Sequence, residues 1–300
     1  MIIDPHVHVM NTKSMDLATF KKLGLPEPKD TPIEKLVEWL RGAGVEKAVI
    51  FGQDMTRIWN SSCGEDYVLK CVKRYPDFFM ALASVEPIDI YDRFNRVALS
   101  YFERAIGEYG FKGVLLTPPY GHYCSDNPAV YPFYEKAMES GVVVQFHHSM
   151  QPGPTVLAPH KYADPVSLDN VLVDFPDLKV VVEHLLYPRC EELFHLMMCD
   201  PNLYADIAFT YNWPHMLTWN LVKAKDYGVI DRVMYGSDYW VAGQWLLSKN
   251  PAEDMKKWIN FIKTGLNEKA EKCGWSTFTQ EEIDGILYKN AAKLYDLQIG

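Results

Sequence analysis

The sequence predicts an α/β protein: one barrel of eight βα units, with long strand-to-helix loops and a helical extension at the C-terminus. Three observations predict it. First, short β-branched or apolar runs recur, beginning near Ile2 (IIDPHVHV), Glu46 (EKAVIFG), Phe78 (FFMALASV), Lys112 (KGVLLTP), Val142 (VVVQFH), Leu178 (LKVVVEH), Asn202 (NLYADIA) and Arg232 (RVMYGS). Their starts lie 24 to 44 residues apart, which leaves room for one crossover helix each and therefore for a parallel sheet. Second, helix-like stretches fill the gaps: Pro32 to Ala43, Glu65 to Tyr75, Asp92 to Tyr109, Val130 to Glu139, Leu168 to Phe175, Glu191 to Met198 and Met216 to Tyr227. Ile33, Leu36, Val37 and Leu40 show the three-and-four spacing that puts an apolar stripe against a sheet. Third, the tail from Pro251 to Leu297 reads as helix and offers no ninth strand. With no fine repeat, low-complexity tract or flexible linker, residues 1–300 are expected to form one domain.

Composition narrows the class of partner. The 48% apolar, 23% charged and 13% aromatic fractions are those of a folded globular chain. Thirty Lys and Arg against 39 Asp and Glu give a net charge of −9, and no basic stripe stands ready for a phosphate backbone, so nucleic acid is not an expected partner. No apolar run approaches the roughly 18 residues of a membrane span. The start lacks a signal-like apolar core, and the six cysteines show no C-x-x-C spacing. A reducing cytoplasm and a small-molecule substrate are the expectations. Homo-oligomerisation stays open, because no contiguous apolar face demands it. Three connections, Met10 to Thr31, Pro118 to Ala129 and His148 to Asp164, exceed what a barrel needs. All follow strands, the end where catalytic groups of such barrels collect.

Asp4-Pro5-His6-Val7-His8 carries the strongest local signal, since side chains two apart on a strand share a face. His6 and His8 therefore converge, with Asp4 in the same phase. An H-x-H pair alone also suits two polar or packing histidines. Three further strand ends carry His or Asp: Gln145-Phe146-His147-His148, Glu183-His184 and Ser237-Asp238. Polar groups at several such ends aim at one small volume, which favours a shared site over independent rim residues.

With these pieces in order (DPHVHV, GVVVQFHH, VVVEHLLYP, DRVMYGSDYW and the closing NAAKLY), the chain resembles the amidohydrolase superfamily. The similarity is to the branch that includes aminocarboxymuconate-semialdehyde decarboxylase, benzoate-type nonoxidative decarboxylases and assorted hydrolases. It implies a distorted (β/α)8 TIM barrel holding a divalent metal. Carried onto this sequence, the resemblance implies His6, His8 and His147 as metal ligands, Asp238 as the strand-eight ligand and acid/base, and His184 as the histidine that polarises or protonates substrate. The register from Gly141 to His147 selects His147 over His148. The fourth strand ends Leu115-Leu116-Thr117-Pro118, with Lys112 at the wrong end to become a bridging carbamate, so one metal is expected. Leu186 replaces a glycine usual two residues after His184, which narrows the space expected there.

Nitrogen-rich ligands with one carboxylate suit Zn²⁺, with Mn²⁺ as the second option. The expected activity is hydrolysis, by metal-activated water, of an ester, lactone, amide or C–C bond in a small aromatic or conjugated acid derivative. The alternative is nonoxidative decarboxylation of such an acid with the same residues. A non-catalytic binding barrel stands third. Aromatic and cationic residues near the expected mouth, Arg57, Trp59, Tyr120, His122, His148, Tyr211 and Trp240, are the candidates to clasp a flat acid, with Arg57 or Arg189 on its carboxylate.

Overall fold

The structure is a computed structural model that describes residues 1–25, 27–63, 65–149, 154–239 and 250–298. Every predicted apolar run yields a strand: β1 (Ile3–His8), β2 (Lys47–Phe51), β3 (Phe79–Ala81), β4 (Ala83–Ser84), β5 (Gly113–Leu116), β6 (Val143–Phe146), β7 (Lys179–Val182), β8 (Leu203–Asp206) and β9 (Val233–Met234). All pairings among these strands are parallel. The third run, expected as one strand, is broken at Leu82: β3 pairs with β2 and β4 with β5. Leu82 N donates to Ile50 O (3.1 Å) on one side, and Lys112 N donates to Ala81 O (2.8 Å) on the other, so the two halves make one stave. The ring closes through a bridge between Val7 and Tyr239 and a bond from His8 N to Tyr239 O (2.9 Å). The result is a distorted (β/α)8 barrel.

Two apolar layers follow from the alternation of strand side chains. Ile3, Val49, Phe51, Leu82, Leu115, Val143, Val181, Tyr204 and Met234 fill the barrel interior. Their alternates, such as Ala48, Ile50, Val144, Phe146, Val180 and Val182, face the helices. Ile3 and Val7 would share a face in a regular strand, yet Ile3 is inside and Val7 belongs to the outer layer. A register shift between Asp4 and Val7 changes the phase, and Pro5, which has no N–H to give the ladder, sits within it. The shift turns His6 and His8 inward. It also removes Asp4 from their phase, contrary to the expectation from strict alternation.

Helices cover the outside as predicted, with shifted ends. Ile33–Ala43 buries Leu36, Val37, Leu40 and Ala43 and stops where Gly44 adopts φ +95°, a conformation glycine takes without a Cβ penalty. The helix expected from Asp92 begins only at Arg96, because the Asn95 side chain accepts from Ala98 N and caps it there. The C-terminal extension has a structural task. Ala291, Ala292, Leu294 and Tyr295 pack on Ile3 and Val143 and plug the end where the strands begin, while Asn290 Nδ2 donates to Val233 O (2.8 Å) and Ile230 O (3.2 Å). Each large apolar side chain buried this way is worth roughly 1.5–3 kcal/mol. With one end sealed by apolar packing, polar groups gather at the other. No helix among the described residues is long and apolar enough to cross a membrane.

Candidate metal centre

At the open end, β1 supplies His6 and His8, the segments after β6 and β7 supply His147 and the pair Glu183-His184, β8 ends in Asp206, and the chain after β9 supplies Asp238. His6 Nε2 lies 3.3 Å from both His8 Nε2 and Asp238 Oδ1, and His8 Nε2 is 3.4 Å from the same Oδ1. These three form one compact donor group. His147 stands in an adjoining group with Glu183 and His184, its ring 5.2 Å from that of His184, which is 5.1 Å from that of His6.

Hydrogen bonds fix which nitrogen of each ring is free. His6 Nδ1–H donates to Asp206 Oδ2 (2.8 Å), His147 Nδ1–H to Glu183 Oε2 (2.9 Å) and His184 Nδ1–H to the Ala208 carbonyl (3.0 Å). Each neutral ring is left with its lone pair on Nε2. Among the described residues, His6 Nε2 has His8 Nε2 and Asp238 Oδ1 beside it and Glu183 Oε1 at 3.8 Å. His147 Nε2 is buried and, among the described residues, has no hydrogen-bond partner.

The charges are equally lopsided. Glu183 and Asp206 are each 1% exposed, and among the described residues only imidazoles ion-pair with them or with Asp238. Burial works against a proton on His6, but Glu183 and Asp206 outweigh it and hold its pKa well above the usual histidine value. Burial likewise opposes charge on Asp238, yet the His6 and His8 imidazoles beside it hold the carboxyl well below the carboxylate range. His184, by contrast, is pushed down by burial. Converging lone pairs and buried carboxylates, with no guanidinium or ammonium paired to them among the described residues, are the donor chemistry that a divalent cation satisfies.

Left-handed backbone builds these turns. His184, Leu185 and Leu186 have φ of +56°, +54° and +53°, and Asp238 has +49°. Asp206 Oδ1 accepts from His184 N (2.9 Å) and Ala208 N (3.0 Å), holding a conformation that is costly outside glycine. Leu186, expected to narrow the site, is buried in the outer apolar layer instead.

The amidohydrolase family profile matches residues 3–297. The chain belongs to the amidohydrolase family. A hydratase of 2-keto-4-carboxy-3-hexenedioate from a Sphingobium species is 28% identical over 139 residues, which cover 42% of this chain and only 40% of that protein. An uncharacterised TIM-barrel protein from Bordetella bronchiseptica superposes with a TM-score of 0.71 at 24% identity, covering 98% of this chain and 97% of that one. A probable 2-pyrone-4,6-dicarboxylic acid hydrolase from Acinetobacter baumannii, solved with citric acid bound, gives 0.65 at 17% identity and 99% of both chains.

This amidohydrolase's predicted mouth residues fare unequally. Tyr120 lies 4.9 Å, ring to ring, from His147, and its hydroxyl pKa is raised by burial and by Asp238 and Glu183. Tyr211 is raised by burial and by Asp238 too, and packs between Phe209 and Trp258. Trp59 Nε1 donates to Tyr120 O (3.2 Å) and touches His122, whose Nε2 meets Val156 O (3.2 Å). Arg57 is not free for a substrate: its guanidinium donates to the Asp89 and Gly121 carbonyls and to Asp92. Arg189 pairs with Asp164 (3.0 Å). His148 faces away from the site, fully buried beside Ser125. Trp240 lies outside the described residues. The sequence reading missed Glu183, Asp206 and Phe209, the last 6.0 Å from the His184 ring.

Proposed function

We propose that this amidohydrolase is a hydrolase of a small aromatic or conjugated carboxylic acid derivative, dependent on one divalent cation, Zn²⁺ in first place and Mn²⁺ second. One observation carries the reading: the Nε2 atoms of His6 and His8 and a carboxylate oxygen of Asp238 meet within 3.4 Å, with Asp206 and Glu183 turning the nitrogen lone pairs of His6 and His147 outward. His6, His8 and Asp238 would hold the cation, with His147 Nε2 as the further ligand. Bound there, it would supply Lewis acidity, polarising a substrate oxygen and easing the deprotonation of water.

The remaining work falls to side chains. Asp238, kept ionised and 16% exposed, takes a proton from the attacking water and hands it to the leaving group as the bond to carbon breaks. His184 differs from the expected donor. Because its Nδ1–H is committed to Ala208, neutral Nε2 accepts a hydrogen bond, so His184 orients the water or a substrate hydroxyl and donates only after receiving a proton. Tyr120, Phe209 and Tyr211 offer ring faces to a flat substrate. With Arg57 and Arg189 spent on the protein itself, no guanidinium among these candidates is left for a substrate carboxylate.

We place the enzyme in a reducing cytoplasm, a reading supported by six cysteines scattered along the sequence without C-x-x-C spacing. The test is a panel of lactones, esters and amides of aromatic and conjugated acids, offered to Zn²⁺-loaded enzyme in ¹⁸O water with carbon dioxide monitored. The reading expects label in the product carboxylate and no gas. Gas without label would replace hydrolysis by decarboxylation, and label added without bond cleavage would replace it by hydration.

A further inference from the structure

We infer that Glu183 is a positioning residue that locks His147 in its Nδ1–H tautomer and so presents Nε2 to the cation. The inference rests on the reading above that His147 helps hold a metal. Glu183 stands one residue past β7, and the pairing of Phe146 with Val182 sets it beside His147 on the adjacent strand. Both its oxygens are engaged: Oε1 accepts from Gln145 Nε2 (2.8 Å) and Oε2 from His147 Nδ1 (2.9 Å).

Gln145 and His147 thus grip one carboxylate from the same strand, two residues apart. With the opposite tautomer, the Nδ1 lone pair of His147 would face a carboxylate lone pair, a repulsion made worse by burial. Asp206 braces His6 in the same way from β8. Two candidate ligands are therefore each held by an acid from another strand, the adjacent β7 for His147 and β8, the neighbour of β9, for His6, the arrangement that fixes ring orientation and raises ligand basicity. Glu183, at 1% exposure directly after Val180-Val181-Val182, makes its shortest contact with an imidazole at His147 (2.9 Å), against 3.6 Å to His184 and 3.8 Å to His6.

The variants separate bond from charge. In Glu183→Gln, Gln145 can turn its own unpartnered Oε1 toward the new amide N–H, so the bond to His147 survives and only charge is lost. Glu183→Leu removes both. Co²⁺ titration of the full chain, followed by its visible absorption, should show less than roughly tenfold weakening for Glu183→Gln. Glu183→Leu should weaken binding about 10- to 100-fold with an altered band. Combining Glu183→Leu with His147→Ala should then weaken Co²⁺ little beyond His147→Ala alone.

The ¹⁵N shifts of His147 in metal-free wild type read the tautomer directly and need no variant to fold. Nδ1–H is expected, and Nε2–H would overturn the inference. Unchanged Co²⁺ affinity and spectrum in folded Glu183→Leu would overturn it as well. Wild type that binds no Co²⁺ would instead sink the metal reading, leaving the tautomer measurement to judge Glu183.

Discussion

The two faces of the barrel wall at the end of β6 treat the same side chain in opposite ways. On the inner face His147 gives its Nδ1–H to the Glu183 carboxylate, and among the described residues nothing bonds its Nε2. On the outer face His148 has the reverse tautomer. Ser125 Oγ spends its proton on Ser167 Oγ (2.9 Å), which donates to Asp164 O (2.8 Å), so His148 must donate Nε2–H to Ser125 (3.3 Å) and leave Nδ1 bare. Inside, carboxylates welcome positive charge. Outside, burial, followed by the neighbouring His147, drives the His148 pKa down to about 3. Residue type therefore says little about role here, whereas the partner of the first ring nitrogen says much.

That contrast breaks most sharply at the inner face. Asp238→Asn should lower kcat by roughly 10²- to 10⁴-fold, the range for losing a positioned acid/base, with folding intact by circular dichroism. His147→Ala should lower activity and metal content together, while His148→Leu should leave kcat/KM within a few-fold. Equal losses in the two histidine variants would erase the distinction between the faces.

Acid sharpens the comparison at the outer face. A histidine whose folded pKa is depressed from about 6.5 to about 3 binds its proton mainly in the unfolded chain between those values, so stability falls as pH falls through that window. By pH 5 this amounts to about 2 kcal/mol. Urea unfolding at pH 7 and pH 5 should show His148→Leu losing less stability than wild type by about that amount. Asp4, raised by burial to about 6, works in the opposite sense in both proteins and cancels in the difference.

A smaller effect is expected at His148 at neutral pH. Removing a buried nitrogen with no partner, while Ser125 keeps Ser167, should leave stability unchanged or raise it by about 1 kcal/mol. Smallest of all, Arg189→Ala breaks a half-exposed pair with Asp164, worth under about 1 kcal/mol. A tenfold rise in KM for that variant would return Arg189 to the substrate site.

Much of this was legible in the sequence. The apolar runs located every stave, because a strand covered on both faces must be apolar throughout. His6 and His8 were legible as a pair from their spacing. Asp4 was misplaced because the phase change in β1 depends on a local register shift, of which Pro5 was the only written trace. Glu183 and Asp206 left a clearer signal that went unread: an acid inside an apolar strand end is too costly to bury unless something positive or protic meets it. Arg57 could not be judged from sequence, since the Asp89, Asp92 and Gly121 groups that occupy it come from two other loops.

The central claim is that separate strands deliver their donors to one cation. An anomalous difference map from crystals grown with Zn²⁺, recorded at the zinc edge, tests it most directly. The account predicts a single peak within about 2.2 Å of His6 Nε2, His8 Nε2 and an Asp238 carboxylate oxygen. A fully active enzyme whose map shows no peak between those atoms would contradict it.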